Sequence, residues 1–385
     1  MRDFTSKTVR LVKPSGIRVF FDIASTMEDC VSLGVGEPDF DTPWHISVEG
    51  MNAISAGKTF YTANNGLKEL REEIARWSKA KYDLDYTADE TLVTVGGSEG
   101  IYCALCGCID PGDEVLVLKP CYVCYEPDVM LCGGVPVTIN LTAENEFRLT
   151  PEQLRAAITP KTKILLMNYP NNPTGAIMTR KDLEAIVDVI VEHDLLVVTD
   201  EIYSELTYGG EHVSIASLPG MKDRTIVING FSKTYSMTGW RLGFLQAPIA
   251  IMKQIKKIHQ FLVMSAPTPS QFAGIEALRH GEDDIKRMRE EYDNRRQYLL
   301  NEYRRIGLPC FEAKGAFYLF PCIKSSGLSS DEFAMRLLKE HRVVVIPGTA
   351  FGECGEGFVR TSYAYSLGDL KKAIGRIEAF LESLH

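Results

Sequence analysis

The chain has 385 residues, a formal net charge of -9 at pH 7, 45% hydrophobic residues and 24% charged residues. This length suits one large domain with a smaller one, and the composition is that of a globular protein rather than a disordered one. The acidic charge argues against a nucleic-acid partner, because phosphate binding needs a basic surface, and no run of about 18 apolar residues predicts a membrane span.

Small molecules are therefore the expected partners. The segment Met1–Arg18 has scattered charges instead of the charged head and apolar middle of a secretory signal. Ten cysteines are too few for a disulfide scaffold in a chain of this length. We expect a cytoplasmic protein with free or buried thiols.

Between Glu90 and Gly243, short apolar runs alternate with turns and helical stretches, which is typical of an α/β sheet. Most of these runs are continuously apolar, as expected of strands buried on both faces. The predicted strands are Thr91–Val95, Glu114–Leu118, Lys163–Asn168, Leu195–Asp200, Thr225–Asn229 and Leu242–Gln246.

A crossover helix is predicted between two of these strands, over Arg180–Glu192. Its apolar residues recur at helical spacing, and Thr179 stands three residues before Asp182 as a capping box. This helix would cover one face of the sheet.

The last third of the chain predicts one long charged helix from Pro269 to about Arg305, then short strands and a terminal helix. The strands are expected within 316–323, 343–346 and 357–361, and the terminal helix from Leu367 to Leu384. Because the sequence contains no low-complexity linker, the domain boundary is expected inside the long helix. We expect a large domain over 46–280 and a small domain from 1–45 and 281–385.

Lys233 is the first chemical candidate, in the segment GFSKTYSMTGWR at 230–241, directly after a predicted strand. An amine that attacks an aldehyde needs a fixed position and a depressed pKa, and the end of a buried strand can provide both. A second candidate is the glycine-rich turn VGGSEG at 95–100, between a strand and a helix. Amides that open a helix offer donors to a phosphate, although a tight turn without a ligand fits equally well.

Two further segments, NNPTG at 171–175 and DEIY at 200–203, follow strands at the edge where open α/β sheets bind ligands. Near the two ends of the chain lie GEPDF at 36–40 and Arg360 within an apolar run. A buried arginine is costly unless it meets a counter-ion, which a substrate carboxylate supplies in fork geometry. An internal salt bridge is the alternative for Arg360.

Taken in their order along the chain, the five segments resemble the class I/II family of aminotransferases that use pyridoxal 5′-phosphate (PLP), across roughly residues 14–375. The resemblance implies an α/β fold of fold type I. Its large domain would have three layers around a mostly parallel sheet, and its smaller α/β domain would come from both termini. Two departures are Gly230, where some relatives have a phosphate-binding serine, and Tyr122, where others have tryptophan.

The resemblance also implies the site residues, with Lys233 as the catalytic residue that binds PLP as a Schiff base and moves a proton. Asp200 would face the pyridine nitrogen, Arg241 would hold the phosphate with Ser232, and Tyr61 would reach the phosphate of the neighbouring subunit. The implied cofactor-binding residues are Tyr61, Gly97, Ser98, Glu99, Tyr122, Asn172, Asp200, Tyr203, Ser232, Lys233 and Arg241. The implied substrate-binding residues are Gly36, Tyr122, Asn172 and Arg360, and no metal is expected.

The expected reaction transfers an amino group from an L-amino acid to a 2-oxo acid such as 2-oxoglutarate by a ping-pong mechanism. Aspartate is the first expectation for the donor, only because it is a common donor in this family. Arg18 could bind its side-chain carboxylate. Because Tyr61 would act across an interface, a symmetric homodimer is expected.

Several alternatives stay open at this point. On the same fold a C–S β-lyase, a decarboxylase or a cyclopropane-forming synthase could arise. The Gly-x-Ser-x-Gly pattern at 96–100 suits a serine hydrolase. Such an enzyme also needs a histidine on a loop after the last strands, and the late histidines are only His341, in a charged helical stretch, and His385, at the end of the sequence. The cysteine pairs 103/106 and 121/124 have the spacing of a zinc site, and a non-catalytic PLP-binding module is the remaining alternative.

Overall fold

A computed structural model describes residues 3–14 and 16–384. Ser15, which precedes the segment with Arg18, and His385, considered above for a hydrolase, lie outside the described residues. Among the helices of the described part, none is both long and apolar enough to cross a membrane.

The described residues form twelve strands in three sheets. The strands are β1 Val31–Ser32, β2 Thr91–Thr94, β3 Glu114–Lys119, β4 Val135–Asn140, β5 Thr162–Asn168, β6 Leu196–Asp200, β7 Thr225–Gly230, β8 Gly243–Gln246, β9 Tyr318–Leu319, β10 Val343–Val344, β11 Ile346–Pro347 and β12 Val359–Ser362. The large sheet has the order β2-β8-β7-β6-β5-β3-β4. Its strands are parallel apart from β8, which runs antiparallel to both neighbours.

Helices surround this sheet and continue into the C-terminal part. They are α1 Lys7–Leu11, α2 Ile17–Ala24, α3 Trp44–Ser55, α4 Lys68–Tyr82, α5 Gly96–Cys108, α6 Tyr125–Leu131, α7 Pro151–Ala157, α8 Arg180–Glu192, α9 Phe231–Thr234, α10 Ile249–Leu262, α11 Thr268–His280, α12 Glu282–Arg305, α13 Ser330–His341 and α14 Leu367–Ser383.

The large sheet is buried on both faces, which explains its continuously apolar strands. In β5, Leu165 belongs to the same core cluster as Ile186 of α8. Its neighbour Leu166 points the other way, into a cluster with Ile101 of α5 and Ile255 of α10. Alternation along the strand thus builds a layer of helices on each side.

Two small sheets join the ends of the chain. β1 pairs with β10 in parallel, so the N-terminal segment lies beside the C-terminal part. β11, β12 and β9 form an antiparallel sheet, with Arg360 on its middle strand.

Most predicted elements are confirmed, including the six strands and the capping box of α8. β4 was not predicted, and the late strands are shorter than expected. The single long helix after Pro269 is wrong, because α11 ends at His280 and α12 begins at Glu282. Gly281 separates them, and a Cβ there would lie 2.6 Å from both the Ala277 carbonyl oxygen and the Tyr235 ring.

Candidate active site

A cavity of about 340 Å³ opens at the carboxyl ends of β5, β6 and β7, beside the turn after β2. Its volume lies in the range of small-molecule sites. Most of the residues implied above line it: Gly36, Gly97, Ser98, Tyr122, Asn172, Asp200, Tyr203, Ser232, Lys233, Arg241 and Arg360. Segments far apart in sequence therefore converge on one space.

Lys233 lies on the short helix α9, just after β7. Its Nζ donates a hydrogen bond to the Gly36 carbonyl oxygen at 2.8 Å. Burial lowers the pKa of Lys233 to about 8, and the positive charges of Arg241 and Arg360 act in the same direction. The neutral, nucleophilic fraction of the amine near pH 7 is therefore much larger than for an ordinary lysine.

Asp200 ends β6 and is buried. Tyr125 Oη donates to its carboxylate at 2.7 Å, and the Ile202 amide donates at 3.1 Å. Burial raises the pKa of Asp200 to about 6, although both hydrogen bonds oppose the rise. A carboxylate held this way suits a partner that carries a positive charge, such as a protonated ring nitrogen.

Arg360 is buried on β12, with 3% of its surface exposed. One terminal nitrogen donates to Asn172 Oδ1 at 2.9 Å and the other to the Gly34 carbonyl at 2.6 Å. Its Nε has no partner among the described residues. The guanidinium also lies over the rings of Tyr318 and Phe351, at 4.6 and 4.8 Å from their centroids. No carboxylate neutralises it in these contacts, so it can bind an anionic ligand.

The turn that opens α5 packs against the Arg241 guanidinium. Gly96 has φ of +75°, and a Cβ there would lie 2.7 Å from an Arg241 nitrogen, so only glycine lets the guanidinium pack on the turn. Ser98 and Ser232 also line the cavity. Helix-opening amides, two hydroxyls and one guanidinium suit a phosphate dianion.

Several residues of the cavity lining were not found by sequence reasoning, and three of them contact predicted site residues. Tyr125 holds Asp200, Tyr318 Oη lies 2.9 Å from Tyr203 Oη, and Asn168 donates to the Asp200 carbonyl at 2.7 Å. Tyr125 stands three residues after Tyr122 in the same segment, and this spacing is the only local signal for it.

Two implied site residues do not line this cavity. Tyr61 is 81% exposed. The Glu99 carboxylate is turned into the protein, where it contacts the Val95 amide and His259. Arg18 is also exposed, and its neighbour Ile17 lines the cavity instead.

The open alternatives have little physical support. Among the described residues, no group of three or more His, Cys, Asp or Glu side chains could hold a metal ion. Burial raises the pKa of Cys121 to about 12, so it is a thiol rather than a metal-binding thiolate at neutral pH. No histidine is part of the described cavity lining, and His341 packs on Phe380 instead.

The cavity therefore fits PLP at three points. It has a lysine of lowered pKa for an aldehyde, a buried carboxylate for a ring nitrogen and a glycine turn with an arginine for a phosphate. A guanidinium with an unpartnered Nε remains for a second ligand.

Comparisons with known proteins agree with this reading. Residues 28–377 match the sequence model of the family "Aminotransferase class I and II". The chain is 47% identical to a putative aminotransferase, YugH, of Bacillus subtilis over 99% of both chains. It is 45% identical to an aromatic-amino-acid aminotransferase of Thermococcus litoralis over 98% of both. The structure of an aspartate aminotransferase from Thermus thermophilus with maleate matches with a TM-score of 0.94 at 39% identity, covering 98% of this chain and all of the other.

Proposed function

Because this chain belongs to the class I and II aminotransferase family, and is a PLP-dependent transferase of fold type I, we propose that its cavity residues perform amino-group transfer in a ping-pong cycle. Lys233 is the catalytic residue. The observation that carries the proposal is that Lys233, with its lowered pKa, and Arg360, with an unpartnered Nε, line one cavity. Lys233 would hold the aldehyde of the cofactor, which a substrate amine can then take over, and Arg360 would bind a carboxylate. An amine and a carboxylate are the two polar groups that every α-amino acid carries.

Bound in this cavity, PLP supplies an aldehyde that condenses with amines and a ring that withdraws electrons from the substrate α-carbon. Lys233 would attach the cofactor and then, when the substrate amine replaces it, carry a proton to and from the α-carbon. The Gly36 carbonyl holds the lysine amine at 2.8 Å and so orients it.

Asp200 would keep the ring nitrogen protonated, with Asn172 and Tyr203 at the ring hydroxyl and Tyr122 against the ring face. Ser98, Ser232, Arg241 and the amides near Gly97 would hold the phosphate, with the backbone of Glu99 as the remaining contact in this turn. Arg360 would bind the α-carboxylate beside Gly36. The support is that these side chains, except that of Glu99, share the cavity lining.

For the donor, we propose an L-amino acid with a large apolar side chain, aromatic ones first. Beyond Lys233, Arg241 and Arg360, the described lining contains no cationic side chain that could bind the side-chain carboxylate of a substrate. The free wall is apolar and includes Ile17 and Phe21. Aspartate is the second candidate, because relatives of similar identity are named for it. The proposed acceptor is a 2-oxo acid such as 2-oxoglutarate.

The test is a visible spectrum of the PLP-loaded protein before and after adding single amino acids without any 2-oxo acid. Loss of the cofactor band with one equivalent of 2-oxo acid per site supports the proposal, and the responding amino acids identify the donor. A response to aspartate alone would require a cation from outside the described lining. Catalytic release of pyruvate with ammonia or sulfide would instead identify a lyase.

A homodimer is part of the proposal. Tyr61 is 81% exposed and the preceding Phe60 is 82% exposed. Phe261 on α10 and Trp44 on α3 are 87% and 74% exposed. Large aromatic side chains in contact with water commonly mark a protein interface. In a symmetric dimer Tyr61 would enter the partner's phosphate site.

Mixing two inactive variants tests this sharing of the site. In a hybrid of Lys233→Ala and Tyr61→Ala subunits, one site combines an intact Lys233 with an intact Tyr61 from the other subunit. Activity should therefore return on mixing. No recovery in hybrids isolated by two affinity tags would contradict the cross-subunit role.

We also propose that residues 46–280 form the large domain and that 1–45 with 281–385 form the small one. The pairing of β1 with β10 supports this division, as does the break between α11 and α12 at Gly281. The ten free cysteines favour a cytoplasmic location.

A further inference from the structure

His259 of α10 is fully buried and contacts two other segments of the chain. Its Nδ1 lies 2.6 Å from Glu99 Oε1, on the helix that opens with the glycine turn. Its Nε2 lies 2.7 Å from the Asn64 carbonyl oxygen. The cycle proposed above uses neither the histidine nor the Glu99 carboxylate.

Both ring nitrogens of His259 take part in hydrogen bonds. A carbonyl only accepts, so Nε2 of His259 carries a hydrogen. The Glu99 carboxylate also receives the Val95 amide at 2.5 Å and the Cys103 thiol at 3.4 Å. Three groups thus surround the Glu99 side chain, and one hydrogen bond joins its Oε1 to Nδ1 of His259. The histidine therefore forms hydrogen bonds to a buried glutamate on one side and to a backbone carbonyl on the other.

The two segments that this histidine joins carry different parts of the phosphate site. Glu99 bonds the Val95 amide and so braces the turn at 95–98. Asn64 belongs to the stretch that follows Tyr61, and its side chain donates to the Met264 carbonyl at 2.8 Å, just after α10. Gln271 and Thr268 hold the same stretch at Thr62 and Phe60.

We propose that the Glu99–His259–Asn64 link is a positioning device that fixes the phosphate turn of one active site and the Tyr61 segment donated to the other as a single unit. The inference rests on the proposed function, because it assumes that the turn and Tyr61 both bind PLP phosphate. His259 and Glu99 act here as positioning residues and do not touch the cofactor with their side chains.

Two variants at one position separate hydrogen bonding from loss of volume. In Glu99→Gln, the amide can accept the Val95 hydrogen and donate to a neutral His259, which still donates to Asn64. Glu99→Leu fills similar space and breaks both bonds. His259→Gln is the second probe, since one amide cannot reach both partners. A matched control is His212→Gln, which breaks another buried histidine–glutamate pair, His212–Glu201 at 2.9 Å, outside the cavity lining.

The first measurement is amide hydrogen exchange on the cofactor-free protein. We expect Glu99→Leu and His259→Gln to speed exchange in residues 61–67 by roughly 10-fold or more, with Glu99→Gln and His212→Gln near wild type there. Unchanged exchange in 61–67 for Glu99→Leu, or equal acceleration in Glu99→Gln, would overturn the link. This readout does not depend on PLP.

The second measurement is the PLP dissociation constant from fluorescence quenching. Glu99→Leu should weaken binding by about 10- to 100-fold, as expected when a buried hydrogen bond to a charge is lost, and Glu99→Gln should restore most of it. The effect of Glu99→Leu should shrink in a Tyr61→Phe background, because part of it acts through Tyr61. Purely additive losses, or wild-type affinity in Glu99→Leu, would overturn the inference. Failure of the wild-type protein to bind PLP would instead refute the proposed function.

Discussion

The buried hydrogen bond from Tyr125 to Asp200 allows a quantitative prediction for Tyr125→Phe. The hydroxyl lies 2.7 Å from the carboxylate, and both residues are buried. A hydrogen bond to a charged group contributes roughly 1.5–3 kcal/mol, which corresponds to about one to two pKa units. Its loss should raise the pKa of Asp200 from about 6 to roughly 7–8.

The sign of the effect on stability follows from linkage. The folded pKa of Asp200 lies above its unfolded value of about 4, so ionisation of Asp200 costs stability as pH rises from about 4 to about 6. In Tyr125→Phe the cost should continue to grow up to about pH 8, because the pKa is higher. The destabilisation by this substitution should therefore be larger at pH 9 than at pH 5, by roughly 1.5–3 kcal/mol.

Urea unfolding of the cofactor-free protein at the two pH values, at one protomer concentration, measures this difference. The control is Tyr169→Phe, which removes a buried hydroxyl that donates at 2.8 Å to the neutral Phe147 carbonyl. Its cost should not change with pH. A pH-independent cost for Tyr125→Phe would refute the reasoning that Tyr125 stabilises the Asp200 anion.

Three other predictions follow from the cavity. Arg360→Lys should lower kcat/KM for amino acids by about 10- to 100-fold, because lysine cannot bind a carboxylate in fork geometry. Steady-state kinetics measure this loss. The control is an amine substrate without a carboxylate, whose turnover should not change. Gly36→Ala should destabilise the protein by roughly 1–3 kcal/mol, because its Cβ would lie 2.3 Å from Tyr318 Oη; an unchanged melting temperature would contradict this crowding. The rate of PLP capture by the cofactor-free protein should rise with pH and level off above about 8, because the neutral amine of Lys233 is the nucleophile. Stopped-flow absorbance measures this rate. A flat rate profile from pH 6 to 9 would argue against the lowered pKa of Lys233.

The sequence by itself determined most strands of the large sheet and many of the residues that line the cavity. The strands of the central sheet were readable because burial on both faces requires continuous apolar runs. Lys233, Asp200 and the glycine turn were readable because each lies in a short local segment next to a strand end. β4 was not, since it is an edge strand that contains Pro136 and exposes half of its side chains.

Only the tertiary structure decided which side chains complete these segments. Tyr125 meets Asp200 across 75 positions of sequence, and Tyr318 meets Tyr203 across 115. His259 contacts Glu99 across 160 positions of sequence. The Glu99 side chain, which the sequence analysis expected at the phosphate, is therefore buried against this histidine. Such contacts have no local pattern, because a hydrogen bond between distant segments depends on how the helices and the sheet pack rather than on spacing along the chain.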